Sequence, residues 1–174
     1  PNYNTFINNT ARSNGFGFRI VESSNNIFIN NIGDSNGSYG LSLERDAVRN
    51  TFNDSTFISR VTGGGGNAAV VFIGNASNNV FNNNTLFTNI TWISSEINAT
   101  RNNFTNTLFS LPNGSIKFIQ TFTLNSTQDI TITKVNITSN NAFVNVSNLT
   151  FLNISAEISL NGLTFGNPRP TVRE

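Results

Sequence analysis

Asn8, Asn36, Asn53, Asn75, Asn83, Asn89, Asn98, Asn103, Asn113, Asn125, Asn136, Asn145, Asn148 and Asn153 each stand two residues ahead of a Ser or Thr, with no Pro between. This triplet is the acceptor pattern for N-glycosylation, in which the asparagine amide takes a sugar and a hydroxyl is required at the third position. With 34 Asn in 174 residues and Ser plus Thr near a fifth of the chain, chance spacing gives roughly 7 such triplets. The observed 14 are a twofold excess. Asn-rich turns beside Ser and Thr also generate the triplet incidentally, so both readings stand at this level. Asn36 and Asn113 precede Gly, in turn-forming contexts where a glycan would project into solvent. Asn103 precedes a Phe expected in the core, and Asn145 and Asn148 crowd each other.

Other chemistry is sparse. The chain has no His, Cys or Met, which removes imidazole bases, thiolate nucleophiles, disulfides and nearly every transition-metal ligand set. Glu22 and Asp46, with Glu44, Arg45 and Arg19 near them in sequence, make the one constellation that resembles a catalytic acid pair or a Ca²⁺ site. The competing reading is a set of charges paired across a solvated corner. Trp92 and Tyr39 would stack on a sugar if they faced outward, although a solitary Trp in a strand usually belongs to a core. The glycines 63–66 lack the Lys-Ser/Thr that a phosphate-binding loop requires, so a projecting loop is expected there. Charged residues are only 11% and the net charge is +1, which gives no basic footprint for nucleic acid. No apolar run approaches the roughly 20 residues that span a bilayer, so no membrane insertion is expected. No metal or cofactor is expected apart from covalent N-glycans.

These residues must be positioned by a repeat. Phe6, Phe28, Phe52, Phe81 and Phe104 form one column, and Asn4, Asn26, Asn50, Asn79 and Asn102 stand two residues before them. The spacing is that of a solenoid, in which one repeat makes one coil and cannot bury its apolar face alone. The Phe side chains are expected to fill the interior. The Asn column suits a corner, because Asn tolerates left-handed backbone and stacked amides hydrogen-bond from coil to coil. A third column, Glu22, Asp46, Asn75 and Asn98, falls six residues before each later Phe and reads as a solvated corner. Segments 15–21, 39–43, 68–73 and 90–93 alternate, or are short enough, for strands. The fold class is therefore all-β, a parallel β-helix of about five coils over residues 1–111.

The ladder stops at Leu111-Pro112-Asn113-Gly114, a turn signal. Residues 112–174 are expected to form a small antiparallel β-sheet or sandwich module that caps the column. Ile116 and Phe118, running on through Ile119, Thr121 and Thr123, read as one strand. Ile130, Ile132, Val135 and Ile137 suggest another, and Phe143, Val144, Val146, Ile158, Leu160, Leu163 and Phe165 supply more.

The segments Ser24-Asn25-Asn26-Ile27-Phe28-Ile29-Asn30-Asn31 and Ser77-Asn78-Asn79-Val80-Phe81-Asn82-Asn83-Asn84 resemble the coils of right-handed parallel β-helix proteins of the pectin-lyase-like superfamily. They are especially similar to Asn-rich coils of periplasmic copper-binding-type and archaeal cell-surface proteins, and segment 151–165 resembles tail modules of the latter. The resemblance implies a right-handed helix and an archaeal surface setting. Copper binding does not carry over, because the ligand types are missing.

The function expected from these features is a non-enzymatic extracellular structural glycoprotein, a subunit of a cell-surface layer, adhesin or filament. Its partners would be other copies of itself and surface polysaccharide. Asn4 and Phe6 already occupy ladder columns without a preceding strand, so either the sequence is a fragment of a longer surface protein or a neighbouring subunit completes this edge by strand addition. The alternative is a polysaccharide-binding or polysaccharide-degrading protein on the same solenoid.

Overall fold

The computed structural model describes residues 1–63 and 67–163. The first coil contributes β1 (Thr5–Ile7), β2 (Thr10–Ser13) and β3 (Phe18–Val21); the second, β4 (Ile27–Ile29), β5 (Ile32–Ser35) and β6 (Leu41–Glu44). The third contributes β7 (Thr51–Asn53), β8 (Thr56–Ser59) and β9 (Ala68–Ile73); the fourth, β10 (Val80–Asn82), β11 (Thr85–Thr88) and β12 (Thr91–Ser95). A fifth coil has two forward strands, β13 (Asn102–Thr105) and β14 (Thr107–Leu111). First strands pair with first strands, second with second and third with third, all in parallel. The chain is thus a parallel β-solenoid of four complete coils and part of a fifth, with three sheets along its length.

Repeat register follows from the Phe column. Phe6, Phe28, Phe52 and Phe81 pair in sequence across adjacent strands, and Phe81 pairs with Phe104. Their rings stack at centroid separations of 4.7, 4.8, 4.7 and 4.4 Å. A one-residue slip would turn every such ring to solvent. Segments 15–21 and 68–73 contain β3 and β9, and segments 39–43 and 90–93 overlap β6 and β12, which run one and two residues further.

Corners are built differently from the sequence expectation. The stacked Asn side chains do not themselves occupy left-handed backbone. The residue before each one does: Tyr3, Asn25, Arg49, Asn78 and Arg101 have φ of 60°, 58°, 56°, 58° and 56°. That conformation turns the chain and aims the following amide inward. The next corner repeats the device, with Asn8, Asn30, Asp54, Asn83 and Asn106 left-handed and Asn9, Asn31, Ser55 and Asn84 behind them in a second ladder.

At 111–114 the chain reverses. β15 (Gly114–Phe118) returns antiparallel to β14, β16 (Phe122–Leu124) antiparallel to β13, and β17 (Ile130–Thr131) antiparallel to β12. These three strands make one retrograde coil that extends the solenoid's own sheets. Phe122 continues the Phe column, stacking on Phe104 at 5.1 Å. The single strand expected through Ile116 and Thr123 is therefore two, separated by a corner, with Phe122 and Leu124 inward. Beyond it, β18 (Val135–Thr138) and β19 (Asn141–Val144) form a small antiparallel hairpin. A 3-10 turn at Thr150–Leu152 leads to β20 (Ala156–Leu160), which pairs antiparallel with β15. Val135, Ile137, Leu149 and Leu152 join the same hydrophobic cluster as the coils, so the end of the column is covered. Leu163 lies outside any strand, and Phe165 and glycines 64–66 fall outside the described residues.

Candidate functional site

Two populations of asparagine divide the surface from the interior. In the inward one, the Asn50 amide accepts from the Asn26 backbone N–H at 3.0 Å and Nδ2 at 2.9 Å, and donates to Asn79 Oδ1 at 3.1 Å and Ser23 O at 2.9 Å. Asn79 repeats this, with Asn50 and the Ala47 carbonyl on one side and Asn102 on the other. Every hydrogen-bonding valence of these amides is used, which is what their burial demands. Asn26, Asn31, Asn50, Asn79, Asn84 and Asn102 are buried, and none heads an acceptor triplet.

The outward population contains all fourteen triplet asparagines. Asn8, Asn36, Asn75, Asn83, Asn89, Asn98, Asn113, Asn125, Asn145, Asn148 and Asn153 are exposed, and Asn53, Asn103 and Asn136 are half-buried. Asn75 and Asn98 stand at the solvated corner their column indicated. Asn103, beside Phe104, has its Oδ1 taken by the Thr123 hydroxyl at 2.7 Å, and the Asn83 Nδ2 donates to Asp54 Oδ1 at 2.6 Å. A sugar on Nδ2 at the exposed positions has an open path outward; at Asn83 it would first displace that bond.

The acid pair suggested by the sequence does not assemble. Because Val21 pairs with Glu44, Glu22 stands opposite Arg45 and bridges to it at 3.4 Å. An extra corner residue in the second coil, where Arg45 and Asp46 are both left-handed, moves Asp46 out of line. Glu44 is gripped by Arg19 through two hydrogen bonds of 2.8 and 2.7 Å and accepts a third from the Ser42 hydroxyl at 2.8 Å. The Arg19 hydrogen bond holds the Glu44 carboxyl below the usual carboxylate range against the opposing effect of burial. Arg19 also lies over the Phe16 ring, 5.1 Å from its centroid, and Phe16 packs on Tyr39 at 5.8 Å. Burial, with the charges of Glu96 and Glu44, raises the Tyr39 hydroxyl. Trp92 is fully buried, stacked on Phe109, with its indole N–H donated to the Val135 carbonyl at 2.8 Å; it offers no sugar platform.

One charged cluster escaped the sequence reading. Asp34 takes two bonds from Arg60, at 2.8 and 3.0 Å, and lies 3.8 Å from Arg12. Arg12 and Asp34 pair directly in the second sheet, and both stand six residues after a column Phe, so a fourth column would have found them. Among the described residues no group of three or more acids is placed to hold a metal ion. Beside the first coil, Pro1, Phe6, Phe18, Ile20 and Phe28 line an apolar hollow of about 360 Å3.

No protein-family model matches the chain, and neither does any curated protein or any solved structure.

Proposed function

We propose that this chain is a non-enzymatic extracellular structural glycoprotein, a subunit of a cell-surface layer, adhesin or filament that carries N-glycans on its outward asparagines. The observation that carries the reading is the separation of the asparagines: those of the interior ladders never head an acceptor triplet, and those heading a triplet are never buried. A glycan at these positions requires passage through a compartment with the glycosylation machinery, hence the extracellular placement. A hydrated sugar coat would protect a protein that has no disulfides. In this reading the solenoid is a right-handed helix of the pectin-lyase-like kind and its setting is an archaeal surface.

Self-association is the second part of the proposal. β20 runs parallel to β14, because β15 is antiparallel to both, and it closes the second sheet with one neighbour among the described residues. Ile158 on it is 58% exposed. Such an edge accepts a further strand, and we assign that strand to the first coil of another copy, whose strands run in the same sense. A non-closing head-to-tail contact of this kind builds a filament. Surface polysaccharide is the remaining partner in this reading.

Glycopeptide mass spectrometry on protein from its native source tests the function. Sugar at several of the fourteen sites, Asn75 and Asn98 above all, is the expected result. A bare chain of 19.0 kDa would overturn the glycoprotein reading and leave the polysaccharide-binding alternative. A monodisperse monomer at high concentration, without ordered assemblies by electron microscopy, would overturn the assembly.

A further inference from the structure

We infer that eight of the fourteen acceptor sites fall into two classes by the moment at which they are open to modification, three only before the chain folds and five after it as well. The inference rests on the glycoprotein reading above and deepens it. The acceptor pattern requires the third-position hydroxyl as well as the asparagine, so a site is open on the folded chain only if both are exposed.

At three sites the asparagine is accessible but the hydroxyl residue is not. Ser55, which completes the Asn53 triplet, is 1% exposed; its Oγ accepts from the Asn31 backbone N–H at 3.1 Å and donates to the Asn53 carbonyl at 2.9 Å. Ser77 completes the Asn75 triplet at 8% exposure; its Oγ accepts from the Thr100 N–H at 3.0 Å and donates to the Asn98 carbonyl at 3.2 Å. Thr91 completes the Asn89 triplet; it is buried, and its strand is flanked by β9 on one side and β17 on the other. Ser55 and Ser77 thus bridge adjacent coils, and presenting any of the three hydroxyls to an enzyme requires opening the stack.

At five sites both ends of the triplet are exposed: Asn8 with Thr10, Asn125 with Thr127, Asn145 with Ser147, Asn148 with Thr150, and Asn153 with Ser155. Four of the five lie in 125–155, the segment that follows the retrograde strands β15 and β16. Late modification would therefore gather at the capped end of the column, while sugar on Asn53, Asn75 and Asn89 records transfer to an unfolded chain. The transfer itself is the same in both classes. Asparagine Nδ2 bonds to the anomeric carbon of a glycosyl diphosphate donor, the carbon–oxygen bond to the diphosphate breaks with the electron pair leaving on oxygen, and one Nδ2 proton passes to a base of the transferring enzyme.

The test uses the full chain made in a host without N-glycosylation, a purified N-glycosyltransferase and its glycosyl diphosphate donor. The enzyme acts on the folded chain in one arm and during translation in the other, with site occupancy read by glycopeptide mass spectrometry. Occupancy at Asn53, Asn75 and Asn89 should be at least about tenfold lower on the folded chain, because their opening breaks buried hydrogen bonds. Occupancy at Asn125, Asn145, Asn148 and Asn153 should be similar in both arms. Phe81→Ala, which loosens the stack, should raise Asn75 occupancy on the pre-formed chain. Equal occupancy of Asn75 and Asn89 in both arms, or none at either in both, would overturn the inference. Bare protein from the native source would instead overturn the glycoprotein reading, so the two failures are distinguishable.

Discussion

Replacing Asn79 by Ala is the most direct test of what holds the coils in register. Asn79 is fully buried. Its Oδ1 accepts from the Asn50 N–H at 2.9 Å and Asn50 Nδ2 at 3.1 Å, and its Nδ2 donates to the Ala47 carbonyl at 2.9 Å and Asn102 Oδ1 at 3.0 Å. Removing the amide orphans the Asn50 N–H, one proton of its Nδ2, and the Ala47 carbonyl; Asn102 Oδ1 keeps the Asn79 N–H at 3.1 Å. Three orphaned groups at about 1 to 3 kcal/mol each set a range of about 3 to 9 kcal/mol, and water entering the gap favours the lower half. We expect about 4 kcal/mol, a fall in Tm of about 8 to 16 °C for a chain of this size. Asn4→Ala is the control, because Asn26 Oδ1 keeps the Asn4 N–H at 3.0 Å and the site is only half-buried; its cost should be about 1 kcal/mol. Urea unfolding followed by the fluorescence of Trp92, the single Trp, measures both. If Asn79→Ala lies within about 1 kcal/mol of Asn4→Ala, the ladder is not a main determinant of stability and the argument fails.

Three further outcomes are expected. Arg19 lowers the folded carboxyl of Glu44 below its unfolded value, so its stabilisation is present at neutral pH and is lost as pH falls through the depressed folded value; Glu44→Gln should flatten the acid limb of a Tm-against-pH curve. At Gly40 an added Cβ would sit 2.5 Å from the Ile58 nitrogen and 2.9 Å from the Ala69 oxygen, both backbone atoms, so Gly40→Ala should cost about 1 to 3 kcal/mol or more in urea unfolding. Ile158→Lys, on β20, which has one strand neighbour among the described residues, should leave Tm nearly unchanged and weaken self-association in light scattering across a concentration series; unaltered assembly would remove β20 from the contact.

The column of Phe residues was legible because its period is short, its residue type is unusual, and every member faces one core. Corner geometry was less so. The sequence marks the Asn whose side chain turns inward but does not distinguish it from the left-handed residue before it, which is Tyr, Asn or Arg according to the coil. The retrograde coil was hidden for another reason: β15 and β16 keep the alternation of the coils but reverse direction, and alternation carries no direction. Gly17, Gly33 and Gly40 meet where backbones pass within a Cβ's width, an added Cβ on either of the first two falling 2.4 Å from the Gly40 oxygen. No local pattern announces such an approach, which for Gly17 crosses from one coil to the next and for Gly33 crosses the interior of a single coil. Glu22 and Asp46 were misaligned by one inserted corner residue, which changes a carboxylate pair into an ion pair.

The ladder and the acceptor triplet also constrain each other. An inward Asn at a corner begins a strand, so the residue two positions on points inward too: Phe6, Ala11, Phe28, Gly33, Phe52, Phe81, Leu86 and Phe104 follow Asn4, Asn9, Asn26, Asn31, Asn50, Asn79, Asn84 and Asn102. An acceptor triplet needs a hydroxyl at that same place. One asparagine cannot readily serve both purposes, so the proper reference for chance is the chain without its ladder members. Setting those 8 aside from the 34 leaves 26, of which 14 head a triplet. With Ser and Thr near a fifth of the chain, roughly 6 would be expected. Against that reference the 14 triplets remain about a twofold excess, and the ladder, whose asparagines are followed two residues on by inward side chains, is not the source of them.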